Sequence, residues 1–383
     1  MLGGLLLVLV VVLVLLLPTL LSSSTGKGFI FGAVNKSITG DIEVDDLSLG
    51  WFGGQRLSGL VVRGEDGVEV ARVGRVEIPD ATLLGLLSGG LDIGQTRVES
   101  VTADIVGYED GTTNLQRALA SSGGKSGGSK RTAAGSGSSG AGKSGAGTAA
   151  WPEGLSFDLV VRDVDIAYRA HDVAESIRLN VKEADLSGAD PTQLVFKLNA
   201  EVSQADHTGT VVADAQVDGL FDGSGVYQPD AASAQVSALV SDLPTDFLDT
   251  LTDQGGKLTA LLGPVINGDI KSEASTAGGT ATLTFVSEHL DIDGGISFSD
   301  TGVVGTGTSH VRLTVTPDAW ALLSMKDGQP TSTLAGPVGV AVELSELDLP
   351  LNDAGLRLAD ARLDLNMTLG DTHLKIDKVG EVE

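Results

Sequence analysis

Apolar and polar residues alternate one by one over much of this chain. Leu194, Phe196, Leu198, Ala200 and Val202 interleave with Val195, Lys197, Asn199 and Glu201. Ile177, Leu179 and Val181 interleave with Arg178, Asn180 and Lys182, and Leu363, Leu365, Met367 and Leu369 with Arg362, Asp364, Asn366 and Thr368. Ala281, Leu283 and Phe285 repeat the theme, as do Val311, Leu313 and Val315. A period of two puts every second side chain on one face of a strand, and a sheet with one apolar and one wet face is characteristically antiparallel. In Phe157, Leu159, Val161 and then Val164, Ile166, Tyr168 the parity slips at Arg162–Asp163, which predicts a β-bulge. Glu65-Asp66-Gly67, Asp110-Gly111, Asp222-Gly223, Asp293-Gly294-Gly295 and Asp327-Gly328 separate the runs and predict tight turns, because such pairs supply positive φ. The chain therefore reads as mainly β, a long meander of short strands.

Helices are few and short by the same criterion. Pro79–Leu87, Leu243–Leu251 and Thr316–Leu323 each place Pro and then an acid before apolar residues at helical spacing. Proline is tolerated in the first helical turn, and a carboxylate there suits the positive end of the helix dipole. The N-terminus differs from everything else. Leu2–Leu21 contains no charge, and twenty residues at roughly 1.5 Å each span a hydrocarbon core of about 30 Å. Residues 1–24 are thus expected to form a transmembrane anchor. The sequence LLSSSTG after the apolar stretch has no Ala-x-Ala motif, which favours a retained anchor over a cleaved signal. Residues 25–120 are expected to form a first β unit and residues 151–383 a second β-rich region, itself of two related units.

Between them, residues 121–150 hold ten Gly, eight Ser, six Ala, two Thr and four basic residues. Such a stretch buries too little apolar surface to offset its ordering entropy and is expected to be a disordered linker. Three catalytic patterns fall inside it: a P-loop string at Gly137–Ser144, a dinucleotide fingerprint at Gly135–Gly140 and a nucleophile elbow at Gly124–Gly128. Each works only when a strand delivers the loop and a helix receives it. Neither element is expected there, so nucleotide chemistry is rejected.

The 383 residues carry 25 Lys and Arg against 51 Asp and Glu, a formal net charge of −26 that disfavours nucleic-acid partners. Cysteine is absent, which removes thiolate metal sites, Cys nucleophiles and disulfides. The five histidines, at 171, 207, 289, 310 and 373, are scattered, and no Ser/His/Asp grouping can be nominated. Asp291-x-Asp293-Gly294-Gly295 hints at a calcium loop, but the fifth, sixth and twelfth positions are Gly295, Ile296 and Gly302, so a hairpin turn is expected instead. Asp41, Glu43 and Asp45, and Asp163 and Asp165, are expected to face water. No enzyme activity, cofactor or metal is expected.

From residue 34 to 120 the sequence resembles a known family. Val34–Gly53 (VNKSITGDIEVDDLSLGWFG), Leu57–Val62, Glu65-Asp66-Gly67, Val70–Val73, Val76–Ile78, Leu83–Leu87, Leu91–Gly94 and Asp110–Leu115 follow one another directly after a membrane span. This order is similar to the AsmA-like family of bacterial envelope proteins, related to TamB and the bridge-like lipid transfer proteins. Asp163–Tyr168, Leu243–Gly263 and Thr316–Leu323 look like later units of such proteins. The resemblance implies an N-terminal helix in the inner membrane, the bulk of the chain in the periplasm, and a long twisted antiparallel sheet curled into a β-groove. It further implies a part in phospholipid transport or outer-membrane assembly, with membrane lipids and other envelope proteins as partners. Ile177, Leu179, Val181, Leu194, Phe196, Leu198, Leu363 and Leu365 would then face lipid. The alternative is a non-catalytic structural or adhesive β-sandwich, in which the same stripe is a sealed core.

Overall fold

A computed structural model describes Ser23, Gly28 and residues 31–32, 34–51, 53–82, 92–121, 150–151, 155–171, 173, 175–252, 254–326, 329–352, 355–357, 360–370 and 374–376. Residues 2–21, most of the helix expected at 79–87, residues 122–149 with their three rejected motifs, Asp327-Gly328 and His373 lie outside this set. Among the described residues no helix is long and apolar enough to cross a membrane. The chain divides into two compact units: Met1–His171 with Leu186–Thr192 and Phe221–Gln228, and Asp172–Asp185 with Gln193–Leu220 and Pro229–Glu383.

The first unit contains β1 (Asp41–Ser48), β2 (Gln55–Arg63), β3 (Glu69–Ile78), β4 (Asp92–Val106), α1 (Asn114–Ala118) and β5 (Ser156–Arg169). β1 to β4 pair antiparallel in sequence order. β4 and β5 pair parallel, which corrects the expectation of a purely antiparallel sheet. A parallel neighbour needs a crossover of a dozen or more residues, and residues 107–155 supply it. The parity change at Arg162–Asp163 is present, but not as the bulge expected against β4: Asp163 has φ 55 and Ser100, level with it on β4, has φ 59, and the register does not shift between them. Register pairs Leu57, Val76, Val98 and Val161 in turn on one side of this line, and Leu60, Val73, Val101 and Val164 on the other. Gly59, with φ 63, continues the line on β2. The left-handed residues on β2, β4 and β5 reset the side-chain alternation, and apolar positions of opposite parity remain level across the four strands.

Asp110 fixes the turn before α1. Its carboxylate accepts from the Thr112 amide (3.0 Å) and hydroxyl (2.6 Å) and from the Arg117 guanidinium (2.9 Å), and Arg117 also lies 3.6 Å over the Tyr108 ring. The Thr112 bonds, then Arg117, hold the carboxyl down at about 2. A carboxyl depressed on folding stabilises the fold above its ordinary value, near 4, and loses that contribution as pH falls toward 2. A carbon-13 titration of Asp110 should therefore show a midpoint near 2, and Thr112→Ala should move it upward; a midpoint near 4 in the intact protein would show the turn to be open.

β6 (Ile177–Asp190) contributes residues to both units. The second unit continues with β7 (Gln193–Gln204), β8 (His207–Asp218), β9 (Ser233–Pro244), α2 (Thr245–Thr252), α3 (Lys257–Leu262), β10 (Val265–Ser275), β11 (Gly278–Ser287) and β12 (Leu290–Ser299). After these come β13 (Gly302–Gly305), β14 (Ser309–Val315), α4 (Pro317–Leu323), β15 (Met325–Lys326), β16 (Gln329–Pro330), β17 (Ser332–Leu334), β18 (Val338–Asn352), β19 (Gly355–Leu356), β20 (Arg362–Leu369) and β21 (Leu374–Ile376). β7 to β12 pair antiparallel in sequence order. β13 and β14 both lie along β12, β18 pairs with both of them, and β20 pairs with β18.

Two of the Pro-led helices form as expected. In α4, Pro317 follows the N-cap Thr316, whose hydroxyl accepts from the Ala319 amide at 3.2 Å. Asp293-Gly294-Gly295 is not a hairpin turn but the middle of β12, level with Thr284, Leu283 and Thr282. A Cβ on Gly294 would come within 2.7 Å of the Ser309 hydroxyl, and one on Gly295 within 2.3 Å of Thr306 Oγ1. Crowding by neighbouring side chains, not turn geometry, requires these glycines.

Candidate functional site

The registers of the second unit sort its strands into two chemically opposed faces. Leu198 lies opposite Ala213, which lies opposite Ala238, then Ile270, Leu283 and Gly294. The next file runs from Phe285 through Ile292, Val311 and Val342 to Met367. Directly opposed residues project to the same side, so these files belong to one apolar face. The positions between them make a polar face: Asn199 and Val212, Asp269 and Thr284, Asp293 and His310, Glu343 and Asn366. On that face Lys271 pairs with Asp269 at 2.8 Å, and Asp291 with Arg312 at 3.0 Å and His310 at 3.4 Å.

Two irregularities keep the apolar file continuous. In β9 the register steps between Val240 and Leu243, where Asp242 has φ 51 and its amide donates to Asn267 Oδ1 at 2.9 Å. In β18 it steps between Leu344 and Glu346, which brings Leu347 opposite Leu363. The extra residue in each strand resets the alternation where the sequence changes parity.

One end of the apolar face is covered. Ala200, Val202, Leu243, Ile266 and Val338 are buried there, with Val202 only 1% exposed. α2 packs on β7 and β9, α3 on β10, and α3 also on α4. Asp249, buried in α2, accepts from the Leu258 amide at 2.9 Å and so ties α3 to α2. Away from this end the face is open: Ile270 is 44% exposed, Leu283 and Val311 37%, and Leu365 50%. Ile270, Leu283, Ile292, Val311, Val342 and Leu365 line a cavity of about 450 Å³, within the usual range for small-molecule sites.

The residues read from the sequence as lipid-facing divide by position. Leu365 lines this cavity, and Leu363, Leu365, Met367 and Leu369 project together from β20. Leu194, Phe196 and Leu198 lie on the same apolar face at β7, with Phe196 exposed and the other two half-buried. Ile177 is buried, and Leu179 and Val181 are half-buried on β6. Sequence reasoning did not nominate Ile270, Ile292 or Val342, although Leu283 and Val311 sat in its alternating runs. β10 and β12 carry Gly, Asp and Ser between their apolar residues, which blurs the period.

The carboxylates singled out in the sequence are dispersed. Glu43 pairs with Arg63 at 3.2 Å, Asp41 accepts from the Asn35 side-chain amide, and Asp163 holds the left-handed position of β5. Among the described residues no three His, Asp or Glu side chains are placed to hold a metal ion. Compared with known proteins, the chain matches no family model and no curated protein.

Proposed function

We propose that the open apolar face of the second unit shelters lipid acyl chains, in a protein held at the inner membrane by residues 2–21 with its β units in the periplasm. The observation that carries this reading is the exposure of Ile270, Leu283, Val311 and Leu365 along files that cross successive strands. Contiguous exposed apolar surface rimmed by polar residues marks a site of interaction rather than a core. Aliphatic side chains suit hydrocarbon, since each CH₂ removed from water contributes about 0.8 kcal/mol. The resemblance to AsmA-like proteins supplies the envelope setting and a part in phospholipid transport or outer-membrane assembly. No step requires catalysis: acyl chains slide along the face while headgroups stay in water.

The sealed-sandwich alternative needs a second layer over these residues, and their exposure weighs against it. Mass spectrometry of lipid retained by the purified full chain, with uptake of a hydrophobic dye after lipid removal, separates the two. Retained lipid and dye uptake are expected; a chain that holds neither would leave only a tethered scaffold.

A further inference from the structure

The charge around the apolar face bears on which lipid it takes, given the acyl-chain reading above. The second unit carries 11 Lys and Arg against 31 Asp and Glu, a formal −20 of the chain's −26. Carboxylates back the very strands that floor the cavity, one residue along from its apolar lining and projecting from the polar face behind it: Asp269 next to Ile270, Asp293 next to Ile292, Glu343 next to Val342 and Asp364 next to Leu365. Cations of the same strands are already engaged, Lys271 by Asp269 and Arg312 by Asp291. The cavity lining includes Asp293 and His310 but no Lys or Arg.

From this juxtaposition we infer that the site selects lipids whose headgroups bear no net negative charge, zwitterionic ones above all, and disfavours anionic ones. An acyl chain laid in the cavity holds its headgroup at the mouth, and the carboxylates act on it across one sheet layer, a separation on the order of the Debye length of about 10 Å at 0.1 M salt. No arginine or lysine is present at the lining to form the bidentate or point-charge contacts that phosphate recognition ordinarily uses. The low-dielectric aliphatic face between the carboxylates and the cavity screens their field less than water would. Selection thus comes from repulsion of the wrong headgroup, while attraction is left to the hydrocarbon.

The test is photocrosslinking in vesicles. The full chain is reconstituted in equal parts of phosphatidylcholine and phosphatidylglycerol with identical diazirine-bearing acyl chains, and adducts on peptides containing Leu283 and Val311 are quantified by mass spectrometry. At low salt the zwitterionic lipid should label these peptides about fivefold more than the anionic one, with the ratio falling toward one in about 1 M salt. Asp269→Asn combined with Glu343→Gln, neither of which lines the cavity, should lower the low-salt ratio without reducing total labelling. Equal or anion-favoured labelling at low salt would overturn the headgroup inference and leave the acyl-chain reading standing. Absence of adducts from either lipid on these peptides would overturn the acyl-chain reading itself.

Discussion

Leu283→Asp combined with Leu365→Asp is expected to cut retained lipid about tenfold or more while leaving the protein folded. Both side chains are open enough, at 37% and 50% exposure, for a carboxylate to stay hydrated in the empty protein. Hydration is lost only when an acyl chain covers them, and burying an unpaired charge then costs several kcal/mol, more than burial of the few CH₂ groups at that spot contributes. The control is on the other side of the same sheet. Val212 and Leu239 oppose each other on the polar face with exposures of 37% and 49%, nearly matching the test pair. Val212→Asp with Leu239→Asp should leave lipid retention unchanged. Equal losses in both double variants would mean that added charge, not the face it sits on, controls binding.

The largest effect on stability is expected from Gly209→Ala. Gly209 opposes Val202 at the covered end of the apolar face, where the Asp242 bulge brings β9 over it. A Cβ there would lie 2.5 Å from the Asp242 carbonyl oxygen and 2.5 Å from Leu243 N and Cα. These are backbone atoms of a paired strand and cannot swing aside, so the substitution should cost about 2–3 kcal/mol, at the upper end for overpacking. Gly339→Ala, where nothing lies within 4 Å of the added carbon, should change stability by well under 1 kcal/mol. Urea denaturation of the two variants measures the contrast, and similar midpoints would show that β9 gives way.

Much of this architecture was legible in the alternation. Leu194–Val202 and Leu363–Leu369 became β7 and β20 with their apolar positions on one side, and the parity slip at Arg162–Asp163 became a left-handed Asp163. What alternation reports is which side of a strand meets water, not which strand lies beside it. The parallel pairing of β4 with β5 was therefore invisible, since Phe157–Tyr168 alternates as an antiparallel strand would. Asp293-Gly294-Gly295 misled for a related reason: turn chemistry and close side-chain approach both require glycine, and only the position of Ser309 and Thr306 tells them apart. α1 carried a usable signal, the Thr113-x-x-Gln116 capping box, with the Thr113 hydroxyl accepting from the Gln116 amide at 3.2 Å. Its helix is too short for apolar periodicity to register. The candidate site was read in part, because β20 advertises Leu365 plainly while Ile270 stands alone among polar neighbours.

The helices α2, α3 and α4 act as a stopper at one end of the greasy surface, with Val202 and Ile266 sealed beneath them. A guest lying along the strands meets a dead end in that direction. On the acyl-chain reading proposed above, it would leave by the route through which it arrived, or sideways past β20, and this unit by itself would be a berth rather than a corridor.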